Sequence, residues 1–415
     1  MKRVVVTGMG IYSCIGQDLD TVVESLRHGV SGIVFDQQRI EYGMHCGLVG
    51  NVPPLDLKSY LPRRFRVAMS EEACYAYIAA KQAFEQAKIN DDYLKENEVG
   101  IIFGNDGNSN LVDSVHIMQE ENNPLMLGPY FAFKTVTSSV NCGLSAIFHL
   151  RGSSFTTASA CASSAHAIGI ATMYIRGGME EMILVGGAME MRPDFLSSLD
   201  SLGATSLRNN DPTHASRPFD KDRDGMVPSG GAAALVLEEY EHAVARGATI
   251  LAEVCGYGFS SNGLEDISTP SADAEYIAMK RALDDAGLQP SEIDYVNAHG
   301  TSTPLGDIEE AKALTRLFAS KINNQKSIIN NRPFISSTKS LTGHENWMAG
   351  ASEAVYSISM MQNDFVAPNI NLEHKIDEAA DLNIVTETVY TTINTVLSNS
   401  SGMGGTNSAL VFKKI

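Results

Sequence analysis

Long apolar runs are missing from this sequence. Nowhere do eighteen apolar residues follow one another, so no segment is predicted to cross a membrane. The N-terminal residues pass directly into a strand-like run and lack the architecture of a secretory signal peptide. The six cysteines have neither zinc-type nor disulfide-type spacing, which predicts no metal site and favours a reducing compartment. We therefore expect a cytoplasmic protein.

Positive charge is also scarce. The chain has 31 lysines and arginines against 49 acidic residues, a formal net charge of −18, and this argues against a nucleic-acid partner. One basic island remains at residues 58–66, which read Lys-Ser-Tyr-Leu-Pro-Arg-Arg-Phe-Arg. A solvated loop and a docking site for an acidic protein are equally good interpretations of that island.

What the sequence does contain is a regular alternation of strand-like and helix-like segments. Alternating buried strands and helices predict a layered α/β fold. The same order recurs in both halves of the chain, which meet near residues 240–250, and this predicts an internal duplication into residues 1–245 and 246–415. The predicted strands lie at residues 2–8, 99–103, 182–185, 233–237, 250–256, 293–297, 334–336, 395–398 and 409–413.

Two glycines at the end of the first predicted strand weakly resemble a dinucleotide-binding motif. Gly8-Met9-Gly10 is predicted to form a loop that ends the strand. The third glycine of the dinucleotide-binding fingerprint is missing, so we reject a dinucleotide cofactor.

One cysteine has surroundings that point to chemistry. Small and β-favouring residues lead into Cys161, apolar residues at helical spacing follow it, and Gly177 and Gly178 end the helix. The cysteine therefore lies at a predicted helix start, where free N–H groups and partial positive charge favour a thiolate. A small buried cysteine without a catalytic role is the alternative.

Two polar loops in the second half each place a histidine just after a strand. Residues 297–307, Asn-Ala-His-Gly-Thr-Ser-Thr-Pro-Leu-Gly-Asp, carry His299. Residues 336–344, Ser-Ser-Thr-Lys-Ser-Leu-Thr-Gly-His, carry Lys339 and His344. Either histidine alone would more often be structural, but two of them with a cysteine at a helix start suit nucleophilic thiol chemistry.

Five motifs follow one another along the chain: Cys161-Ala-Ser-Ser-Ala-His, Arg217-Pro-Phe-Asp-Lys-Asp-Arg-Asp-Gly, Asn297-Ala-His-Gly-Thr-Ser-Thr-Pro, Ser337-Thr-Lys-Ser-Leu-Thr-Gly-His and Gly404-Gly-Thr-Asn. In this order they resemble the motifs of the β-ketoacyl-acyl-carrier-protein synthases, condensing enzymes with a thiolase-like fold. The resemblance runs nearly end to end and implies two duplicated halves in αβαβα layers, with the active site between them. It implies an acyltransferase that joins an acyl thioester to malonyl-acyl carrier protein by decarboxylative Claisen condensation, giving 3-oxoacyl-acyl carrier protein in fatty acid elongation.

The same resemblance implies roles for the site residues. Cys161 carries the acyl chain, and the backbone N–H groups of Cys161 and Met403 form the oxyanion hole. His299 and His344 stabilise the enolate, each by about 3–4 kcal/mol. Lys339 is expected to orient His344 and to pair with Glu353. The remaining predicted residues support the first histidine loop or hold the pantetheine arm and acyl chain; they are Asp307, Glu310, Thr301, Thr303 and Met403.

Some positions depart from the family or have a second interpretation. Met403 stands where a phenylalanine usually gates the acyl pocket, and we expect this flexible side chain to admit unusually shaped or unsaturated acyl groups. Trp347 stands where small residues are usual. His166 is expected to be a packed core histidine. Residues 220–224, which hold Asp220, Asp222, Arg223 and Asp224, form either a catalytic cluster or a salt-bridged brace.

The resemblance names acyl carrier protein as the partner and its phosphopantetheine as the substrate carrier, so no further cofactor is expected. Because both proteins are acidic, docking needs local positive charge. We expect a homodimer, with a heterodimer containing a related ketosynthase subunit as the alternative. The predicted docking residues are Arg63, Arg64, Arg66 and Lys134.

Three other functions are alternatives to condensation in fatty acid elongation. A thiolase would carry a second catalytic cysteine near its C-terminus, and residues 401–407 contain none. A non-catalytic partner subunit would lack the nucleophile, whereas Cys161 is present. A ketosynthase of a specialised polyketide- or polyene-type pathway stays open beside housekeeping fatty acid synthesis.

Overall fold

The computed structural model describes residues 1–319, 321–322, 325–326 and 332–415. Its α-helices are α1 (Leu19–His28), α2 (Gln37–Tyr42), α3 (Arg63–Arg66), α4 (Glu71–Gln86), α5 (Asp91–Glu96), α6 (Asn110–Glu121), α7 (Ala132–Thr135), α8 (Ser139–Phe148), α9 (Ser163–Arg176), α10 (Pro193–Ser201), α11 (Tyr240–Ala245), α12 (Ala272–Ala286), α13 (Gly306–Phe318), α14 (Lys339–Thr342) and α15 (Ala349–Gln362). Its strands are β1 (Val4–Tyr12), β2 (Ile33–Phe35), β3 (Leu48–Gly50), β4 (Gly100–Gly104), β5 (Ser154–Thr157), β6 (Met182–Met189), β7 (Gly231–Glu239), β8 (Ala252–Ser261), β9 (Tyr295–Asn297), β10 (Lys321–Ile322), β11 (Gln325–Lys326), β12 (Phe334–Ser336), β13 (Phe365–Val366), β14 (Val389–Tyr390), β15 (Thr395–Gly402) and β16 (Thr406–Lys413).

The largest sheet of the described residues shows the duplication directly. Its strand order is β12-β9-β15-β16-β8-β1-β7-β6-β4-β5. Read outward from the join between β1 and β8, the two sides follow the same path, β1-β7-β6-β4-β5 and β8-β16-β15-β9-β12. The join consists of two residue pairs, Val5 with Glu253 and Val6 with Ala252. The predicted internal duplication is confirmed, and the predicted boundary between residues 245 and 246 falls directly after α11.

Apolar cores lie between the five layers of the fold: two outer cores, and one central core that surrounds the middle layer of helices. One core lies between helices α4 and α8 and the first half of the sheet, and another lies between the second half and helices α12 and α13. The central core holds α9 and α15, which pack between the two halves. In β6, Met182 and Leu184 face the outer core while Ile183 and Val185 face the central one. Strands β1, β6 and β7 are buried at every residue, as expected for strands that are covered on both faces, and the predicted αβαβα layering is confirmed.

Small residues allow the two central helices to touch. A Cβ atom added to Gly350 of α15 would lie 2.5 Å from the backbone nitrogen of Ala165 in α9. From Ala349 to Met361 every residue of α15 is buried. A helix with no solvent-facing side is expected only where other layers cover it all round.

The prediction of a loop at Gly8-Met9-Gly10 is wrong, because β1 continues through these residues to Tyr12. The glycines instead let α4 lie directly on the strand. A Cβ atom on Gly8 would come within 2.1 Å of the Ala83 carbonyl oxygen, and one on Gly10 within 2.0 Å of the Ala79 carbonyl oxygen. Glycine is needed here for close backbone approach and not for a turn.

The described residues contain neither a membrane-spanning helix nor a metal-binding cluster. None of their helices is both long enough and apolar enough to cross a bilayer. Their histidine, cysteine, aspartate and glutamate side chains do not gather in groups of three or more that could hold a metal ion.

Candidate active site

Cys161 lies in a short 3-10 turn, Ala160–Ala162, between β5 and α9. Ala160 has a left-handed conformation with φ of +46°. The turn is held because the Ala160 N–H donates to Asp106 Oδ2 at 2.7 Å and the Ser159 N–H donates to Ser163 Oγ at 2.8 Å. The backbone N–H groups of Met403 and Cys161 both hydrogen-bond to the Cys161 sulfur. The turn therefore presents the thiol to the pair of donors predicted for an oxyanion hole.

The charge state of Cys161 differs from the expectation. Only 4% of the residue is exposed. Burial raises the pKa of Cys161 to about 11, although Lys339 and the two backbone N–H groups act in the opposite direction. The prediction of a resting thiolate is therefore wrong, because desolvation outweighs the helix start. Cys161 therefore holds its proton at neutral pH.

His344 is the histidine that contacts the nucleophile. Its Nε2 lies 3.0 Å from Cys161 Sγ. The Asn346 N–H donates to His344 Nδ1 at 3.3 Å, so Nε2 carries the ring proton. Burial, and then Lys339, lower the pKa of His344 well below its usual value. At neutral pH this residue is an uncharged imidazole that points an N–H donor at the sulfur.

His299 lies next to His344, with ring centroids 5.3 Å apart and ring planes at 85°. Lys339 Nζ lies 3.4 Å from His299 Nδ1, which leaves the proton on Nε2. Burial, and then Lys339, lower the pKa of His299 as well. The N–H groups of His299 and Gly300 donate to the Glu310 carboxylate at 2.7 and 2.6 Å, which fixes the loop. The two imidazoles thus form a matched pair of neutral donors.

The Lys339 amino group contacts His299 Nδ1 and also lowers the pKa of His344 through its charge; its role in orienting His344 stays a prediction. The predicted pair with Glu353 is present, with Lys339 Nζ hydrogen-bonded to Glu353 Oε1. Both side chains are 1% exposed. Burial raises the pKa of Glu353 to about 7, and Lys339 opposes that rise. Lys339 therefore connects a buried carboxyl group to the first histidine loop.

The remaining predicted residues of the first histidine loop are Asp307, Thr301 and Thr303. Asp307 accepts the Phe219 N–H at 2.7 Å, and burial raises the pKa of Asp307 to about 7. The Thr301 and Thr303 hydroxyl oxygens are 2.9 Å apart. Thr301 is buried, Thr303 is half-buried, and the neighbouring Leu305 is exposed to solvent. Whether they hold a pantetheine arm stays a prediction.

Met403 lies at the tip of the hairpin between β15 and β16. Its backbone faces Cys161, whereas its side chain is 45% exposed. Gly404 and Gly405 continue the turn with φ of +84° and +87°. The contact of this side chain with an acyl group stays a prediction, and in the present conformation the side chain reaches solvent.

The charged residues 220–224 form a brace. Arg217 Nε donates to Asp220 Oδ1 at 3.0 Å, and the N–H groups of Glu373 and His374 donate to Asp220 Oδ2 at 2.7 Å. Arg223 Nε donates to the Thr303 carbonyl oxygen at 3.0 Å. These bonds hold the first histidine loop from behind, and none of them reaches Cys161.

Sequence reasoning missed three contributors and described a fourth correctly. Asp106 anchors the Cys161 turn. Phe195 of α10 packs edge-to-face on Trp347, with ring centroids 4.9 Å apart. The Thr406 hydroxyl is hydrogen-bonded to His166 Nε2 at 2.9 Å. His166 is packed as expected, and burial lowers its pKa to about 4. No sequence pattern marks Phe195, whereas Asp106 could have been suspected from its place directly after β4.

The predicted docking residues lie near the start of α4. Arg63 and Arg64 of α3 are exposed, whereas Arg66 is half-buried and its Nε donates to the Leu61 carbonyl oxygen at 2.9 Å. Lys134 of α7 is half-buried and lies close to Cys74 in α4: burial raises the pKa of Cys74 to about 12, and Lys134 partly opposes this. The two exposed arginines are therefore the strongest docking candidates of the four.

Comparison with known proteins gives consistent matches. Residues 1–243 match the family model described as the N-terminal domain of β-ketoacyl synthases, and residues 251–373 match the model of the C-terminal domain. The chain is 41% identical to 3-oxoacyl-[acyl-carrier-protein] synthase 1 of Escherichia coli (strain K12), over the full length of both. A β-ketoacyl synthase from Burkholderia phymatum STM815 superposes with a TM-score of 0.92 at 34% identity, covering both chains completely. The ishigamide ketosynthase/chain length factor superposes with a TM-score of 0.89 at 28% identity, covering 100% of this chain and 99% of the other.

Proposed function

The chain belongs to the β-ketoacyl synthase family, and from that premise we propose that it condenses an acyl thioester with malonyl-acyl carrier protein in fatty acid elongation. The observation that carries the proposal is the arrangement around Cys161. Two uncharged imidazoles with Nε2–H donors, one of them 3.0 Å from the sulfur, lie beside a buried thiol. The enzyme is an acyltransferase that forms a carbon–carbon bond.

In the first half-reaction the acyl chain moves to Cys161. The acyl carbonyl oxygen accepts hydrogen bonds from the backbone N–H groups of Cys161 and Met403, and these bonds stabilise the tetrahedral oxyanion. A bond forms between Sγ and the acyl carbon while the bond from that carbon to the pantetheine sulfur breaks. The proton released by the thiol leaves with the pantetheine thiol, so no net charge accumulates.

In the second half-reaction the histidines act on the malonyl group. Its thioester oxygen accepts hydrogen bonds from the Nε2–H groups of His299 and His344. At the same time the bond to the departing carboxylate breaks and carbon dioxide is released. The electron pair forms an enolate whose carbon attacks the acyl carbonyl on Cys161 and displaces the Cys161 thiolate, which takes up a proton from solvent to restore the thiol. Because both imidazoles are neutral at physiological pH, they stabilise the enolate as hydrogen-bond donors without giving up a proton.

The proposal is tested by separating the two half-reactions. After incubation with an acyl-carrier thioester, intact-protein mass spectrometry should find one acyl adduct, absent in Cys161→Ala. Cys161→Gln, which mimics the shape and polarity of the acylated cysteine, should release carbon dioxide from malonyl carrier without forming a condensation product. An adduct on another of the six cysteines, with Cys161 unmodified, would contradict the proposal.

Acyl carrier protein is the partner, and it docks on the exposed arginines of α3. Arg63 and Arg64 extend into solvent in a chain whose net charge is −18. An acidic carrier is repelled by most of this surface, so the local positive charge sets where it lands. Arg66 and Lys134 contribute less because each is half-buried.

A second copy of the chain covers the outer edge of the first half. Strand β5 ends the sheet and pairs only with β4 among the described strands, so its free edge can pair with a partner strand. Helix α8 packs on β5, α7 packs on α8, and α6 packs on α7. Light scattering of the protein alone separates a homodimer from the alternative, a heterodimer with a related subunit. The surrounding segment exposes a group of apolar side chains: Leu111, Val115, Leu125, Met126, Tyr130, Phe133 and Val136.

A specialised pathway is the second candidate. It is favoured by Met403 and Trp347, at which this chain departs from the family pattern, and by its similarity to the ishigamide ketosynthase/chain length factor. The six free cysteines and the condensation chemistry fit the cytoplasm in either case.

A further inference from the structure

The residue that departs most from the family pattern lies beside the nucleophile. Trp347 belongs to the 3-10 turn Asn346–Met348, three residues after His344. This turn packs against the Cys161 turn and against β6. The residue is 4% exposed, and its indole meets the Phe195 ring edge-to-face. The sequence contains no other tryptophan.

The aromatic pair forms a wall on the closed side of the site. A Cβ atom on Gly107 would lie 3.5 Å from the Phe195 ring, and the preceding Asp106 holds the Cys161 turn. The pair therefore reaches from the His344 loop to the loop beneath Cys161. The open side is marked by exposed Met403 and Leu305. An arm that entered from that side would direct the acyl group toward the opposite side, where the pair lies.

The wall has unused hydrogen-bonding capacity. Trp347 Nε1 and Asn346 Oδ1 are buried and have no hydrogen-bond partner among the described residues. Neighbouring polar groups do have partners. Tyr356 Oη donates to Glu345 Oε1 at 2.8 Å, and Asn346 Nδ2 donates to the Ser229 carbonyl oxygen at 3.4 Å. A buried N–H group without a partner has already lost its hydration, so an acceptor that reaches it adds a hydrogen bond without further desolvation of the donor.

We propose that the Trp347 indole N–H is a specificity group of the acyl site and that this enzyme prefers acyl groups carrying an oxygen acceptor over hydrocarbon chains of the same length. The proposal rests on the condensation function proposed above and names the substrate class of that same site. A hydrocarbon chain leaves the indole N–H unpaired, whereas a hydroxyl or carbonyl oxygen in the right place accepts it and can donate to Asn346 Oδ1 when it is a hydroxyl. The expected preference is roughly tenfold, the value of one recovered buried hydrogen bond.

The test compares octanoyl-carrier protein with hydroxyoctanoyl-carrier proteins that bear the hydroxyl on carbon 4, 5, 6, 7 or 8. The rate of Cys161 acylation is followed by intact-protein mass spectrometry. In the parent enzyme at least one isomer should react about tenfold faster than octanoyl. In Trp347→Phe, which keeps an aromatic ring and removes the N–H, the ratio should fall to about one. A parent ratio at or below one for all five isomers, or an unchanged ratio in Trp347→Phe, would overturn the proposal.

A second measurement uses the parent protein and does not depend on how the variant folds. Because Trp347 is the lone tryptophan, intrinsic tryptophan emission reports on this side chain alone once the carrier has been removed. Loading Cys161 with the preferred hydroxyacyl group should shift the emission to longer wavelength than loading with octanoyl, since the indole N–H then has an acceptor. Identical spectra would count against the proposal. If neither octanoyl nor any hydroxyoctanoyl group reaches Cys161, the condensation function itself fails, which is a distinct result.

Discussion

The two halves of the molecule place the same feature at the same interface and use it differently. In each half a short 3-10 turn precedes the central helix: Ala160–Ala162 before α9 and Asn346–Met348 before α15. The two turns pack against each other. The first presents the nucleophile Cys161, whereas the second follows His344 and supplies Trp347 to a wall. Duplication therefore produced two equivalent helix starts, and the chemistry was divided between them.

The two halves also share one electrostatic solution. Burial raises the pKa of Cys161 and lowers those of His299 and His344, so all three reacting groups are uncharged at neutral pH. The buried Lys339 beside them is paired with Glu353. Such a site develops its strongest interactions with the thioester oxygen only when the enolate forms.

The largest effect is expected from removing the contribution of the second half. His299→Ala and His344→Ala should each lower condensation by about 10²–10³-fold, because each removes one donor to the enolate oxygen. Both variants should still form the acyl adduct on Cys161, since the oxyanion hole for that step belongs to Met403 and Cys161. Product formation and adduct formation are measured on the same samples. Normal decarboxylation of malonyl carrier in both variants would refute the division of labour.

A smaller effect is expected from forcing the two halves apart. Gly350→Ala places a methyl group against the backbone of Ala165 and should cost about 1–3 kcal/mol of unfolding free energy. Gly143→Ala in α8 is the matched control, because the nearest atom to its new methyl group is Met69 Cγ at 3.7 Å. That control should gain about 0.5–1 kcal/mol from lower backbone entropy. Urea unfolding that gave both variants the same stability would show that the helix contact does not limit the fold.

The smallest effect is expected at the surface of the first half. Replacing Arg63 and Arg64 together by glutamate should raise KM for carrier-bound substrate several-fold at low salt and weaken its salt dependence. Small acyl thioesters without a carrier should react as before. Lys280→Glu on α12, an exposed lysine of the second half, is the control and should change neither value. Equal losses with both substrate types would mean that the arginines support the structure.

Local signals determined which parts were predictable. Strand β12 matches its predicted bounds. Helix α12 has boundary signals in its own sequence, because Ser271 caps its start and Gly287 ends it in a left-handed conformation. The glycines of β1 were misassigned because their function depends on α4, about seventy residues away.

The same limit applies to the candidate site. Motifs located Cys161, His299 and His344, but a motif does not state how deeply a thiol is buried, and burial decided the pKa of Cys161. Nor could it state which histidine Lys339 contacts, because that depends on how two loops pack in three dimensions. The contact between Trp347 and Phe195 joins residues more than 150 positions apart and has no periodic signature.

The central position of α9 has a consequence during synthesis. This helix is covered on one side by α15 and by β16, both of which belong to the second half. When the first 245 residues have left the ribosome, its apolar side therefore has nothing to pack against. At 5–20 residues per second the remaining 170 residues take roughly 10–30 s to appear. During that interval the nascent chain displays the surface that a holding chaperone binds, so the nucleophile-bearing half is the one whose yield should depend on such help.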